Sequence, residues 1–228
     1  MADDPTTPSQ LWASTDPTLW AAAMKQYPAR VARLNREDLV SLDEWYLTEL
    51  PALVSTQGFL TQPQLSRLMR WKLRKNKMRP LQHLIDRLDD SAVQEATALA
   101  ANALKDKRVG AALAELCKLG GVGPATASFI VAAVDPSCPG LGDAALEAVV
   151  GTRKYTIDEF HALRSALTER CEVLNKDTAE CNTDGWPTGV SLPWTPGTLQ
   201  LALWSAGSTA WPPRKTPAKK KKATKTKA

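Results

Sequence analysis

Two stretches of this 228-residue chain hold residue types that could do chemistry, and both suit an anion. Residues 119–127 read Leu-Gly-Gly-Val-Gly-Pro-Ala-Thr-Ala. Gly120, Gly121 and Gly123 permit positive φ and leave backbone N–H groups bare. Pro124 suits the first position of a following helix, where its missing N–H would have had no partner. Bare N–H groups at a helix N-terminus make a ready anion site, because the peptide dipoles leave partial positive charge there. A nucleic-acid phosphate is the natural occupant, so Gly121, Val122, Gly123, Ala125 and Thr126 are the candidate backbone-binding residues. The alternative is a tight turn between helices with no ligand.

The second stretch is residues 67–79, with Arg67, Arg70, Lys72, Arg74, Lys75, Lys77 and Arg79 and no acid among them. On a helix, Arg67, Arg70, Trp71, Arg74 and Lys75 share one face, and Lys77 extends it. Leu65, Leu68, Met69 and Leu73 lie opposite. The pattern predicts a helix that packs on one side and presents cations plus an indole on the other, suited to phosphate neutralisation and base stacking. The competing reading is a solvated face with Trp71 tucked over the core. Lys72 falls near the apolar side. It is read as a stem that crosses the core edge to reach water, not as a catalytic amine.

These stretches need helices to position them, and helical periodicity is present. Val109, Ala112, Leu113, Leu116 and Leu119 precede the glycines, and Ala127, Ile130, Val131 and Val134 follow, which predicts a helical hairpin over residues 109–134. Thr61 with Gln64, Ser91 with Gln94, and Thr156 with Glu159 fit the capping-box pattern at helix starts. Pro51, Pro80, Pro136 and Pro139 are expected at helix ends. Residues 175–194 read as a long loop. A last helix opens at Pro196, carries Leu199, Leu203 and Trp204, and stops at Gly207. Alternating strand patterns are absent, so the expected class is all-α. Residues 1–16 are expected to be flexible, 17–210 to form one helical domain, and 211–228 to be a disordered basic tail. Val149, Val150 and Gly151 are a weak candidate for a second turn of the same kind.

The formal net charge of +5 misleads. Residues 214–228 hold eight basic residues and no acid, which leaves a body of net −3. Attraction of the body for a polyanion must therefore come from a local patch. The tail has the form of a nuclear localisation signal or a non-specific DNA-binding arm, the alternative being a solubilising tail. Cys117, Cys138, Cys171 and Cys181 form no ligand array, and His83 and His161 stand apart from them, so neither a metal nor a cofactor is expected. Reduced, buried thiols are the default. There is no signal-peptide pattern and no window long enough to span a membrane, which predicts a soluble, intracellular and nuclear protein, expected to be a monomer.

The string 119–127 resembles the hairpin of the helix-hairpin-helix (HhH) GPD superfamily of DNA glycosylases, the endonuclease III and adenine-glycosylase group. In that superfamily a loop rich in glycine and proline follows the hairpin and leads to an essential aspartate. Residues 135–143 here read Asp-Pro-Ser-Cys-Pro-Gly-Leu-Gly-Asp, and Asp143 lies 22 positions after Gly121, the family's usual offset. The resemblance thus implies a DNA glycosylase-like fold and a carboxylate, Asp143, that could stabilise the oxocarbenium-like sugar formed when an N-glycosidic bond breaks. On local grounds Asp143 is also a natural helix N-cap. There are departures. Ala125 stands where bifunctional members carry a lysine, so lyase chemistry through that position is excluded. Ala144, Ala145 and Ala148 replace the residues that often follow the aspartate, and the iron–sulfur cysteines of some members are missing. The resemblance covers residues 116–145. More loosely, Trp71-Lys72-Leu73 and Lys77-Met78-Arg79-Pro80 resemble a eukaryotic group with a Trp-Lys-Leu, Arg-Pro signature, which brings no activity with it. The expected function is DNA binding through the phosphate backbone. The alternatives are a monofunctional DNA glycosylase using Asp143 and a nuclear helical scaffold for other proteins. No motif names a base, a lesion or a protein partner.

Overall fold

Side-chain capping decides where several of the helices begin. Thr61 and Thr156 close capping boxes with Gln64 and Glu159, as their spacing predicts. The box expected at Ser91 and Gln94 does not form. Asp89 is the cap instead, and its carboxylate accepts the Ala92 N–H at 3.1 Å. A carboxylate at the positive end of a helix outcompetes a hydroxyl two residues on. Thr7 and Gln10 make a further box, which opens α1 (Pro8–Ala13) and corrects the expectation of a flexible segment 1–16 over its described part. Leu11 of α1 is fully buried, and that burial holds the short helix in place.

The computed structural model describes residues 7–76 and 79–207, and among them all regular structure is helical. The chain is all-α. After α1 come α2 (Pro17–Arg33), α3 (Leu39–Leu47), α4 (Glu49–Gln57) and α5 (Gln62–Lys75). Next are α6 (Gln82–Ile85), α7 (Asp90–Lys105), α8 (Val109–Leu116) and α9 (Pro124–Val134). A three-residue α10 (Asp143–Ala145) runs into a π turn (Leu146–Val150), followed by α11 (Ile157–Leu174) and α12 (Pro196–Gly207). Pro51 does not end a helix as expected. It lies in the first turn of α4, where its missing N–H has no intrahelical partner to lose. Gly151 ends the π turn at φ +82° and opens no second hairpin. The tail 211–228 and Lys77 lie outside the described residues. No helix among the described residues is long and apolar enough to cross a membrane.

The helices pack in two groups. In one, α3 to α9 pack together, with α7 against α8 its most extensive contact. In the other, the first and last described helices meet: α1 and α2 pack on α12, which also holds α10 and α11. Helix α9 touches both groups, through α4, α5, α7 and α8 on one side and α11 on the other. An aromatic stack anchors it. Tyr46 of α3 lies flat on Trp71 of α5, with ring centroids 3.6 Å apart, and the Phe129 ring of α9 meets Trp71 edge-on at 5.4 Å. The Tyr46 hydroxyl donates to the Phe129 carbonyl at 2.9 Å, a buried bond that ties α3 to α9.

The same packing overturns the predicted cationic face of α5. Trp71 is fully buried and Lys75 is 4 % exposed. Both turn inward to Asp43 of α3, whose Oδ1 accepts from Trp71 Nε1 at 2.7 Å, from Tyr27 at 2.9 Å and from Lys75 Nζ at 3.1 Å. The Lys75 ammonium also donates to the Tyr27 hydroxyl and lies 4.4, 4.9 and 4.6 Å from the ring centroids of Tyr27, Trp71 and Trp204. Arg67 stacks on Trp45, and Arg74 bonds the Glu37 carbonyl and the Asp38 carboxylate. Arg70 is exposed. Helix α5 is covered on more than one side, by α3, α6, α7 and α9. A wider buried arc than a single apolar stripe then takes in Trp71 and Lys75, and the Asp43 carboxylate makes that tolerable for the ammonium.

Candidate functional site

The turn between α8 and α9 is pinned from below by Leu119 and Val122, both buried. Of its three glycines only Gly121 has positive φ, at +85°. A Cβ there would come within 2.8 Å of Leu84 Cβ, so glycine is required twice over at this position. Gly123 is the N-cap of α9 in extended conformation (φ −97°, ψ 179°), and no side chain caps the helix. The Thr126 and Ala127 N–H groups close on the Gly123 carbonyl at 2.9 Å each. Among the described residues the N–H groups of Gly123 and Ala125 make no hydrogen bond. Two of the predicted residues have their N–H groups engaged within the chain: Thr126 donates to the Gly123 carbonyl, and Val122 to the Leu119 carbonyl at 3.0 Å. Of the predicted residues, Gly121, Gly123 and Ala125 keep N–H groups with no hydrogen-bond partner among the described residues, and a Gly123 Cβ would meet nothing within 4 Å.

The loop after α9 is moulded onto that helix. Ser128 Oγ accepts the Leu141 N–H at 2.8 Å and donates to the Ala125 carbonyl at 3.1 Å. Gly140 lies flat on Phe129, where a Cβ would sit 2.1 Å from the ring. The loop therefore delivers Asp143 beside the first turn of α9. Asp143 is not the N-cap that its sequence position suggests. Gly142 holds that place, and the Asp143 carboxylate turns away from its own helix. It accepts the Tyr155 hydroxyl at 2.7 Å and faces Arg153 at 3.5 Å, with its side chain 27 % exposed. Tyr155 is set in left-handed backbone (φ +57°), rare for an aromatic residue. The Glu159 carboxylate holds it there by accepting the N–H groups of Lys154, Tyr155 and Thr156 and the Thr152 hydroxyl. Burial first, then the Asp143 bond and charge, push the Tyr155 phenol up to about 12, so near neutral pH it stays a donor.

A cleft of about 220 Å³ joins these parts. Gly121, Gly123, Pro124, Ala125 and Thr126 line one wall, Gly142, Asp143 and Tyr155 another, and Lys72, Asn76 and Arg79 a third. Clefts for drug-sized ligands run from roughly 300 to 1,000 Å³, so this one suits a single sugar or base. The cations here are not the predicted ones. Arg67, Arg70, Arg74 and Lys75 do not line the cleft, whereas Lys72 and Arg79 do. The signal for Lys72 was its misfit, a cation on the apolar side of α5. Nothing in the sequence marked Tyr155 or Arg153, because their roles arise from the fold of residues 151–156.

Burial, with the nearby Arg79 charge, lowers the Lys72 amine to about 8, against a partial opposing effect of Asp143. A lysine pKa lowered on folding means the charged form is disfavoured in the native state. Below pH 8 both folded and unfolded chains carry the proton and the penalty is fully present. It is relieved as pH rises from about 8 to 10.5. Lys72→Met is therefore expected to raise the melting temperature at pH 7, and the gain to shrink as the melts are repeated at pH 9 and 10. A lower melting temperature at pH 7 would contradict this.

Compared with protein-family models, curated proteins and solved structures, the chain gives no match.

Proposed function

We propose that this chain binds duplex DNA, with the α8–α9 turn acting as a helix-hairpin-helix clamp on the phosphate backbone in a body of glycosylase-like build. The cleft beside the clamp receives one nucleotide swung out of the base stack. One observation carries the reading: the uncapped start of α9, Lys72, Arg79 and Asp143 all open on a single cleft. Two free N–H groups at a helix start and two cations give a local attraction that a body of net −3 otherwise lacks. The basic segment 214–228 adds a non-specific contact and addresses the protein to the nucleus.

Titrating a labelled duplex with the full chain at several salt concentrations tests this. Affinity should fall steeply with salt, and Arg79→Ala should weaken binding for every sequence and reduce the salt slope by about 1. The tail is common to both proteins, so the difference reports the cleft. Equal affinities and slopes would sink the clamp and leave the helical scaffold reading.

A second reading, excision of a base by N-glycosidic cleavage, is favoured by the position of Asp143. Tyr155 and Arg153 hold its carboxylate at the cleft, where it could stabilise an oxocarbenium-like sugar. Abasic-site formation on a panel of damaged duplexes should then disappear in Asp143→Asn. Undiminished release by that variant would remove Asp143 from the reaction.

A further inference from the structure

Arg79 is exposed where it meets the cleft, and its place there is set by the backbone on either side. On the far side Pro80 biases it to extended conformation, and its carbonyl accepts the Leu81 N–H at 2.8 Å. On the near side the chain has just left α5. Helices often end on a left-handed residue that lets later N–H groups return to the last carbonyls. Asn76, the C-cap of α5, has φ −117° and ψ −148° instead. Its N–H and its side-chain amide both donate to the Lys72 carbonyl at 3.2 Å. The Arg74 and Asn76 carbonyls are served from far away in the chain. Arg36, half-buried in the connection between α2 and α3, donates to both through Nη1, to the second at 2.6 Å. A guanidinium suits this end of a helix, because the peptide dipoles leave partial negative charge there. The clasp is reciprocal, since Arg74 donates back to the Glu37 carbonyl and the Asp38 carboxylate. Asn35 and Asp38, at φ +45° and +56°, bend the connection into place around Arg36.

We propose that Arg36 is a positioning residue for the cleft: by closing the end of α5 it fixes where Asn76 and, three positions on, Arg79 stand. The inference rests on the DNA-binding reading, in which Arg79 meets a phosphate. Arg36 itself does not line the cleft. It acts through the direction in which the chain leaves α5. Without its donors the Arg74 and Asn76 carbonyls lose partners in a part-buried setting, and the chain turns to bring them to water. Arg79 moves with them and no longer faces the phosphate. The loss is then the loss of Arg79, reached from the other side of the helix end.

The test is a double-mutant cycle in the full chain, read by duplex titration at several salt concentrations. Arg36→Met should weaken binding by a fold approaching that of Arg79→Ala and, like it, lower the salt slope by about 1. The double variant should bind no more weakly than Arg79→Ala alone, because the residue that Arg36 places is already gone. Arg36→Lys, whose ammonium carries three donors, should restore most of the affinity and the slope. Arg74→Met removes only the return bonds. It should show a smaller loss, also absent in the Arg79→Ala background, and it carries the cycle if Arg36→Met does not fold. Losses that multiply in either double variant overturn the assignment, since the first residue would then meet the duplex by itself. A lower melting temperature with unchanged affinity and slope overturns it too, and reduces Arg36 to a helix cap. Both outcomes leave the clamp intact. A wild-type chain that binds no duplex, or an Arg79→Ala variant equal to it, removes the clamp and this inference together.

Discussion

Asp43→Leu is expected to cost about 3–5 kcal/mol of folding stability, the usual range when one member of a buried ion pair is removed. The carboxylate is the common acceptor for the Tyr27 hydroxyl, the Trp71 indole N–H and the Lys75 ammonium, and the side chains of the ion pair are only 3 % (Lys75) and 6 % (Asp43) exposed. Without it the Lys75 charge is left among aromatic rings, where burial already lowers its pKa against the opposing pull of Asp43. The variant should therefore regain stability as pH rises, since a folded state that releases its proton early is favoured at higher pH. Adding Lys75→Met to the variant should recover much of the loss at pH 7, because no orphaned charge remains. Recovery should stop short of wild type, because Tyr27 and Trp71 still lack their acceptor. Urea unfolding of the wild type and both variants measures this. A loss for Asp43→Leu below about 1 kcal/mol, the worth of one ordinary hydrogen bond, would show that the network is not the organising centre of α2, α3 and α5.

Gly123→Asp is expected to move stability and DNA affinity in opposite directions. The N-cap residue of α9 is glycine in the extended conformation that a capping aspartate adopts, and an added Cβ meets nothing. An aspartate there can accept one of the bare first-turn N–H groups, which favours the helix by a few tenths of a kcal/mol over glycine. It also puts a negative charge where the proposed clamp would hold a phosphate. Duplex affinity should fall by about tenfold or more, the equivalent of about 1.4 kcal/mol. Thermal melts and duplex titration read the two effects separately. Unchanged affinity in a stabilised variant would mean that the start of α9 holds no phosphate. Gly121 could not serve in this test, because its positive φ and its contact with Leu84 would confuse lost binding with lost folding.

Much of the frame was legible in the chain. Helix periodicity, the boxes at Thr61 and Thr156, and the glycines of residues 119–127 lead to an all-α fold with a tight turn feeding α9. These are local matters. Capping, proline geometry and positive φ act over a few residues, and a sequence displays them directly. The side chains of α5 were not legible in the same way. Periodicity sorts a helix into one apolar and one polar side, but α5 is packed from several directions. Trp71 and Lys75 therefore went inward, and Lys72 came out at the cleft.

Sequence alone, then, settles the helical class and the presence of a tight glycine turn feeding a helix, since both depend on bonds between near neighbours. Tertiary packing decides what the turn faces. It brings α5, the loop of residues 135–143 and Tyr155 to one cleft, frees the Asp143 carboxylate from the capping role its position suggests, and sets Lys72 on the same cleft. The glycines at 119–127 mark a turn with bare N–H groups, but the groups set beside it come from positions more than fifty residues apart in the chain. Their meeting follows from burial and long-range hydrogen bonding, which no local pattern encodes.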